Sequence, residues 1–150
     1  KETLPLARNS VTEKNLFDTV SFLGYRNDVD KLTAISDVAF SASLREGLPV
    51  NIIEAMACGI PVVCSDNRGH RSLIKHGVTG FIFSSKSDQD MNNTIITLYN
   101  SPELRSSMGK NNVIESKKYA LDIAVNRMAE IYNELIYGSI KVSRGGTTVE

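Results

Sequence analysis

The chain has 150 residues, of which 41% are hydrophobic and 23% charged, as in a soluble globular domain with its own core. Its 17 basic and 17 acidic residues balance, which argues against a nucleic-acid-binding protein or one held on an anionic membrane by a basic surface. No apolar run approaches the ~18–20 residues that a membrane-spanning helix needs. The chain starts at Lys1 without a signal-peptide pattern, so we interpret it as a fragment of a longer polypeptide.

The two cysteines do not suggest a disulfide framework, and no cluster of cysteine and histidine has the spacing of a zinc site. Cys58 and Cys64 both lie in apolar segments. We therefore expect both side chains to act as small hydrophobic groups in a reducing compartment, and we expect no metal site.

Apolar periodicity and turn residues predict helices and strands that alternate along the chain. The predicted strands are 19–23, 37–42, 61–65 and 81–83. Helical segments are predicted at 1–16, from Asp28 to about 35, and at 49–58, 71–76, 87–99, 102–119 and 122–136. Short apolar strands separated by helices favour an α/β fold with a parallel sheet covered on both faces. We expect residues 1–136 to form one domain and the polar segment 137–150 to be a flexible tail.

In parallel sheets, ligands bind beyond the carboxyl ends of the strands, so the loops that follow the predicted strands are the candidate functional segments. The loop after Ala42 enters a helix at Pro49, a residue that suits the first helical position. The first N–H groups of that helix lack intrahelical partners and lie at the positive end of its dipole, which favours a phosphate. Gly47 would let the backbone approach that phosphate closely.

Two carboxylates flank this predicted anion site. Glu46 would repel a phosphate that it touched, so we expect it to face an uncharged group with hydroxyls, such as a sugar. Val50, Asn51 and Glu54 share one face of the helix, which would let Glu54 reach a ribose attached to the bound phosphates. Each residue alone is explained equally well as a solvated charge or as helix-entry chemistry. Their combination at one strand end predicts a pocket for a nucleotide sugar.

The segment from Glu46 to Glu54 resembles the glutamate-x7-glutamate signature of family-4 retaining glycosyltransferases, whose GT-B fold has two facing Rossmann-like domains. The flanking segments 20–24, 36–43, 54–65 and 77–82 are similar to the same family, and the resemblance covers residues 15–136. The form of 67–70, Asn-Arg-Gly-His, resembles bacterial transferases of capsule, exopolysaccharide or lipopolysaccharide synthesis. The resemblance implies the C-terminal half of a GT-B fold, a Rossmann-like parallel sheet truncated at its N terminus.

The resemblance also implies a ligand, a nucleoside diphosphate sugar that is most often a UDP-hexose, and sugar transfer with retained configuration and without a metal. Glu46 would be the catalytic residue, binding donor-sugar hydroxyls near the reacting carbon, and Glu54 would hold the ribose. The remaining donor-binding residues would be Gly47, Leu48, Pro49, Val50 and Asn51 around the sugar and diphosphate, and Tyr25 and Arg26 in the base pocket. Lys31, Arg68 and His70 are further candidates, for which an ordinary surface or loop position is the alternative.

The family places an arginine and a lysine for the leaving diphosphate in a first strand–helix unit, and a catalytic histidine in an N-terminal acceptor domain. Both would precede Lys1, so we expect the chain alone to be inactive, to bind nucleotide weakly and to have an unpaired sheet edge. Its partners would be that N-terminal domain and a glycan or lipid-linked acceptor, with no nucleic acid. The sharpest hypothesis is a cytoplasmic hexosyltransferase at the inner face of the plasma membrane.

Three other classes of protein compete with this interpretation. A dinucleotide-binding Rossmann domain needs a G-x-G-x-x-G turn after a strand, which the chain lacks. A binding-only, degenerate transferase module and a GT-B sugar-nucleotide epimerase remain alternatives. The pair Glu46 and Glu54 and the set of flanking motifs favour the transferase.

Overall fold

The computed structural model describes residues 3–142, with the side chains described up to residue 138. A parallel sheet of three strands in the order β1-β2-β3 forms its centre. The strands are β1 (Ala39–Ser41), β2 (Val62–Ser65) and β3 (Gly80–Phe83). The helices are α1 (Thr3–Glu13), α2 (Val29–Ala34), α3 (Val50–Ala57), α4 (Arg68–Leu73), α5 (Asp88–Asn100), α6 (Pro102–Ser116) and α7 (Leu121–Val142), with a 3₁₀ turn at Lys117–Tyr119.

The central strand β2 organises the core. It pairs in parallel with β1 through Val62 and Ala39, and with β3 through Val62 and Gly80, and all four of its residues are buried. Alternate side chains of β2 face opposite layers of helices. The predicted α/β fold with a parallel sheet buried on both faces is therefore confirmed.

Each face of the sheet has its own hydrophobic cluster. On one face Val62 and Cys64 of β2 pack with residues of α3, α4 and the segments that directly follow these helices; the buried members are Ile52, Ala55, Met56, Ile60, Leu73 and Ile74. On the other face Val63 packs with Phe83 and with residues of α5 and α6, Leu98 and Met108. The position of α3 on the sheet thus follows from its apolar stripe, and its opposite face is left to solvent.

The strand predicted at 19–23 does not form. In the described structure this segment is irregular, and Leu23 is 58% exposed. An extended segment becomes a strand only by pairing with a neighbour, and the described sheet has none beside it. Phe22 instead lies beneath the guanidinium of Arg8 of α1, 4.9 Å from the ring centre.

The described sheet is open at both edges. Among the described strands, β1 and β3 each pair only with β2, so the outer edge of each carries no strand.

Several predicted helix boundaries also move. Pro49 is the N-cap of α3 rather than its first residue, while Gly59 ends that helix with a left-handed φ of 73°, as predicted. Helix α4 begins at Arg68, three residues before its predicted start, because the side chain of Asn67 caps it by accepting a hydrogen bond from the amide of His70.

Helix α7 runs past its predicted end. It continues to Val142, so residues 137–142 of the predicted tail are helical, and residues 143–150 lie outside the described part. The residues of its apolar stripe are each between 38% and 63% exposed; they are Val125, Met128, Ile131, Tyr132 and Leu135. None of the helices in the described residues has the length and hydropathy needed to cross a membrane.

Candidate functional site

The loops that follow β1 and β2 are joined by hydrogen bonds, as expected for the carboxyl ends of neighbouring parallel strands. The carbonyl oxygen of Ser43 accepts one bond from Ser65 Oγ at 2.5 Å and another from Asn67 Nδ2 at 2.8 Å. Ser65 is the last residue of β2, and Asn67 is the N-cap of α4. The segment 42–49, which carries Glu46, is therefore tied to the turn between β2 and α4.

Glu46 is half-buried and lies against α4. Gly69 of that helix faces the backbone of Glu46 so closely that a β-carbon at position 69 would be 2.7 Å from the Glu46 carbonyl oxygen. The absence of a side chain at Gly69 is what lets the two segments meet. The backbone of the candidate catalytic residue is thus held from one side.

His70 is an internal residue of α4, not the loop histidine that the sequence predicted. Its side chain is fully buried, and Nδ1 lies 2.7 Å from the carbonyl oxygen of Ser65. A carbonyl can only accept, so this contact requires a proton on Nδ1. Nδ2 of Asn67, itself a donor, lies 2.8 Å from the same ring nitrogen and is not its hydrogen-bond partner in that tautomer. Nε2 is buried without a hydrogen-bond partner in the described structure. Arg68, the other candidate in this segment, is exposed at the start of α4.

The N terminus of α3 opens onto the same side of the sheet. The first internal hydrogen bond of α3 runs from the amide of Ile52 to the carbonyl of Pro49 at 3.1 Å. No side chain caps the N terminus of this helix. The amides of Val50 and Asn51 precede that bond, so they have no intrahelical acceptor. Gly47, Leu48, Val50 and Asn51 are all exposed, and Pro49 is buried. This end of α3 therefore offers backbone donors to an anion.

Glu54 lines a cleft of about 230 Å³ between α2 and α3. Val50, Asn51 and Glu54, which the helical spacing places on one face, are all exposed. The cleft is lined by Val29, Asp30, Thr33, Glu54, Ala57 and Cys58. Its lining holds two carboxylates and neither lysine nor arginine, so it suits a neutral group with hydroxyl donors better than a phosphate.

The sequence reasoning missed Asp30 and Thr33 as lining residues of this cleft. They lie three positions apart in α2, which places them on one helical face, but only the packing of α2 against α3 brings that face to Glu54. The helical spacing was visible in the sequence, whereas the partner helix was not.

The candidates for the base pocket lie before and within α2. Tyr25 is 94% exposed. Arg26 donates two hydrogen bonds to Asp28, at 2.8 and 2.7 Å, and this guanidinium holds the pKa of the Asp28 carboxyl below its usual value. Lys31 is exposed on α2. The charge of Arg26 is therefore already paired in this structure, and the side chain of Tyr25 faces solvent.

The two cysteines differ in environment. Cys64 is buried in β2, and burial, with a smaller effect of Asp66, raises the pKa of its thiol to about 12. Cys58 is exposed at the C-cap of α3 and lines the Glu54 cleft, so of the two cysteines expected to act as small hydrophobic groups only Cys64 is packed in the core. In the part of the chain that the structure describes, no three His, Cys, Asp or Glu side chains form a group that could hold a metal.

A parallel α/β sheet with polar loops and a free helix N terminus at its carboxyl edge defines a ligand-binding domain of the Rossmann-like class. Residues 5–113 match the family described as Glycosyl transferases group 1, and the chain belongs to this family. The resemblance found in the sequence is thereby confirmed.

Curated relatives agree with the family. The chain is 34% identical over 114 residues to the putative glycosyltransferase EpsD of Bacillus subtilis, an alignment that covers 76% of this chain and 30% of EpsD. It is 31% identical over 117 residues to an N,N'-diacetylbacillosaminyl-diphospho-undecaprenol alpha-1,3-N-acetylgalactosaminyltransferase of Campylobacter jejuni, covering 78% of this chain and 31% of that enzyme. The chain thus spans about a third of the length of these relatives.

A solved structure shares the fold. HepE of Anabaena, in complex with UDP and glucose, superposes with a TM-score of 0.82 at 28% identity, covering 87% of this chain and 36% of HepE. The same protein in complex with UDP-glucose also gives a TM-score of 0.82. The predicted GT-B type of α/β domain is therefore confirmed.

Proposed function

We propose that the chain is the donor-binding domain of a retaining, metal-independent glycosyltransferase that moves a hexose from UDP to a glycan or lipid-linked acceptor. The observation that carries the proposal is the arrangement around α3. Its uncapped N terminus lies between the Glu46 loop and the cleft of Glu54. The Campylobacter jejuni relative, which is named for transfer to an undecaprenol-linked sugar, and the UDP complexes of HepE support the choice of donor and acceptor class.

Each part of a nucleotide sugar has a matching part of this surface. The free amides of Val50 and Asn51 would receive the diphosphate, because they are unpaired donors at the positive end of a helix. Glu54, with Asp30 beside it, would accept hydrogen bonds from the ribose hydroxyls. Glu46 would accept them from the sugar, which is uncharged and does not repel the carboxylate.

The proposed transfer breaks the bond between the anomeric carbon and the β-phosphate oxygen while the acceptor hydroxyl oxygen forms the new bond on the same face. The departing phosphate oxygen takes the hydroxyl proton. Glu46 would hold the sugar in the orientation that this front-face substitution needs. The backbone amides at the start of α3 would stabilise the negative charge that develops on the phosphate.

We further propose that these 150 residues bind donor but do not turn it over. A leaving diphosphate needs positive charge, whereas the proposed site at the start of α3 offers it only the backbone amides of Val50 and Asn51, and Arg26 is paired with Asp28. The chain spans about a third of the length of its relatives, which is consistent with an acceptor domain elsewhere in a longer polypeptide.

Titration calorimetry with UDP tests the nucleotide part of this proposal. We expect Glu54→Ala to weaken UDP binding by about 1–3 kcal/mol, a factor of roughly 5 to 150, because a charge-assisted hydrogen bond is lost. Glu134→Ala is the matched control, since Glu134 is an exposed carboxylate on α7, outside the proposed site. Equal UDP affinity of wild type and Glu54→Ala, or no UDP binding by the wild type, would contradict the proposal.

A further inference from the structure

We propose that His70 is a positioning residue that fixes the Glu46 loop from inside the protein, acting through Asn67 and Ser65. The inference rests on the proposed role of Glu46 in binding the donor sugar. His70 does not touch the ligand in this scheme, because its ring has no exposure to solvent. Its effect reaches the loop through a chain of buried hydrogen bonds.

The first step of that chain joins the ring to the end of β2. Nδ1–H of His70 donates to the carbonyl oxygen of Ser65 at 2.7 Å, which fixes the orientation of the imidazole. The main-chain amide of His70 donates to Asn67 Oδ1 at 3.0 Å. That main-chain bond does not depend on the side chain at position 70. The ring itself also contacts both side chains, with Nδ1 2.8 Å from Nδ2 of Asn67 and 3.4 Å from Oγ of Ser65, so removal of the ring changes the packing around both.

The second step joins this cluster to the loop. With its oxygen bound to His70, the Asn67 amide is oriented so that Nδ2 donates to the Ser43 carbonyl at 2.8 Å. Ser65 Oγ donates to the same carbonyl at 2.5 Å. Ser43 precedes Glu46 by three residues in a segment without regular secondary structure. These two bonds are therefore an attachment point of the loop, and the contact of Glu46 with Gly69 is a second.

The unpaired Nε2 of His70 supports the view that the site requires a histidine for the sake of its Nδ1–H donor. Nε2 of His70 is buried without a partner, which is unfavourable for a polar atom. A leucine would fill the interior without that cost. The arrangement is understandable if the donor at Nδ1 is what the site requires. Because buried networks of this kind select one geometry, the loop is held in a single conformation.

The test compares three substitutions at this position by hydrogen–deuterium exchange of the chain without ligand. His70→Asn keeps an N–H group near the place of Nδ1, His70→Gln moves the amide toward the place of Nε2, and His70→Leu removes the donor. We expect the amides of 43–48 to exchange at least tenfold faster in His70→Leu and His70→Gln, and close to wild type in His70→Asn. The amides of α5 should not change and serve as the internal control.

The second readout is the ratio of the UDP and UDP-glucose dissociation constants. We expect His70→Leu to bind UDP-glucose no more tightly than UDP, while its dissociation constant for UDP stays within twofold of wild type. We expect His70→Asn to recover the tighter binding of UDP-glucose. A uniform loss of stability would not produce that split. A wild-type chain without any sugar-dependent affinity would contradict the proposed function, whereas the exchange experiment would still decide this inference.

Either of two results would overturn the inference. The first is that the amides of 43–48 exchange at the wild-type rate in folded His70→Leu. The second is that these amides exchange at the same rate in His70→Leu and His70→Asn. Ser65→Ala provides an independent variant if His70→Leu does not fold. It removes one of the two donors to Ser43 and leaves the histidine intact. We expect faster exchange confined to the same loop, and exchange at the wild-type rate would equally contradict the proposal.

Discussion

Gly69 of α4 and Glu46 meet so closely that position 69 has no room for a side chain. A β-carbon there would lie 2.7 Å from the β-carbon of Glu46 and 2.7 Å from its carbonyl oxygen. A main-chain oxygen cannot move aside by a change of side-chain rotamer. The contact therefore couples the position of the Glu46 backbone to the position of α4.

Gly69→Ala is expected to separate the two segments. We predict a loss of unfolding free energy of about 1–3 kcal/mol, typical of overpacking, and a loss of the affinity that glucose adds to UDP. Gly138→Ala is the matched control, because Gly138 lies in helix α7 and an added β-carbon would meet no atom within 4 Å. The control should be neutral or more stable by about 0.5–1 kcal/mol. Wild-type stability and sugar affinity in Gly69→Ala would show that α4 does not constrain the loop.

Cys58 should report occupancy of the cleft that contains Glu54. It is exposed and lines that cleft, whereas Cys64 is buried with a thiol pKa raised to about 12. Because the thiolate is the reactive form, we predict that a maleimide modifies Cys58 alone in the folded chain and that saturating UDP slows the reaction. Mass spectrometry of the labelled peptides measures both effects.

Cys58→Ser is the control for this labelling, and it should leave the folded chain unmodified. Rapid labelling of Cys64 would mean that β2 is accessible to the reagent. Labelling of Cys58 at the same rate with and without UDP would place the nucleotide away from this cleft.

Asn112 should matter for stability and not for ligand binding. Its buried Nδ2 donates to the carbonyl oxygens of Ile60 and Thr79, each at 2.8 Å, at the amino ends of β2 and β3. These ends lie opposite the candidate site. We predict that Asn112→Leu lowers the unfolding free energy by about 1–3 kcal/mol, because two buried carbonyls lose their donor, and leaves the UDP affinity of the folded chain unchanged.

The neighbouring residue provides the comparison for Asn112. Asn111 donates a bond of 3.0 Å to the carbonyl of Val78, nearer the surface, so Asn111→Ala should cost only about 0.5–1 kcal/mol. Urea titrations of both variants measure the difference. Equal stabilities of the two variants would contradict the role given to the buried amide.

Local signals in the sequence located most of the helices and strands. The segment predicted as a helix from residue 87 becomes α5 with Ser87 as its cap, α6 begins at Pro102 as predicted, and the apolar run of β2 marks the buried centre of the sheet. The strand predicted at 19–23 failed because a strand depends on a neighbour that propensity does not reveal.

Tertiary contacts explain what the sequence reasoning missed at the candidate site. The polar segment 66–70, after an apolar strand, predicts a loop, whereas in the structure α4 already begins at Arg68. The contact between Gly69 and Glu46 gives the physical reason for that glycine. The places of Glu46 before α3 and of Glu54 on that helix follow from the sequence, whereas the contribution of Asp30 to the cleft depends on how α2 packs against α3.

The central claim is that Glu46 and Glu54 bind different parts of one nucleotide sugar. Titration calorimetry of Glu46→Ala and Glu54→Ala with UDP and with UDP-glucose tests it most directly. We predict that Glu54→Ala weakens both ligands by the same factor, because both contain the ribose, and that Glu46→Ala weakens UDP-glucose alone. Equal weakening of UDP and UDP-glucose by Glu46→Ala, or no effect of either substitution, would contradict the account.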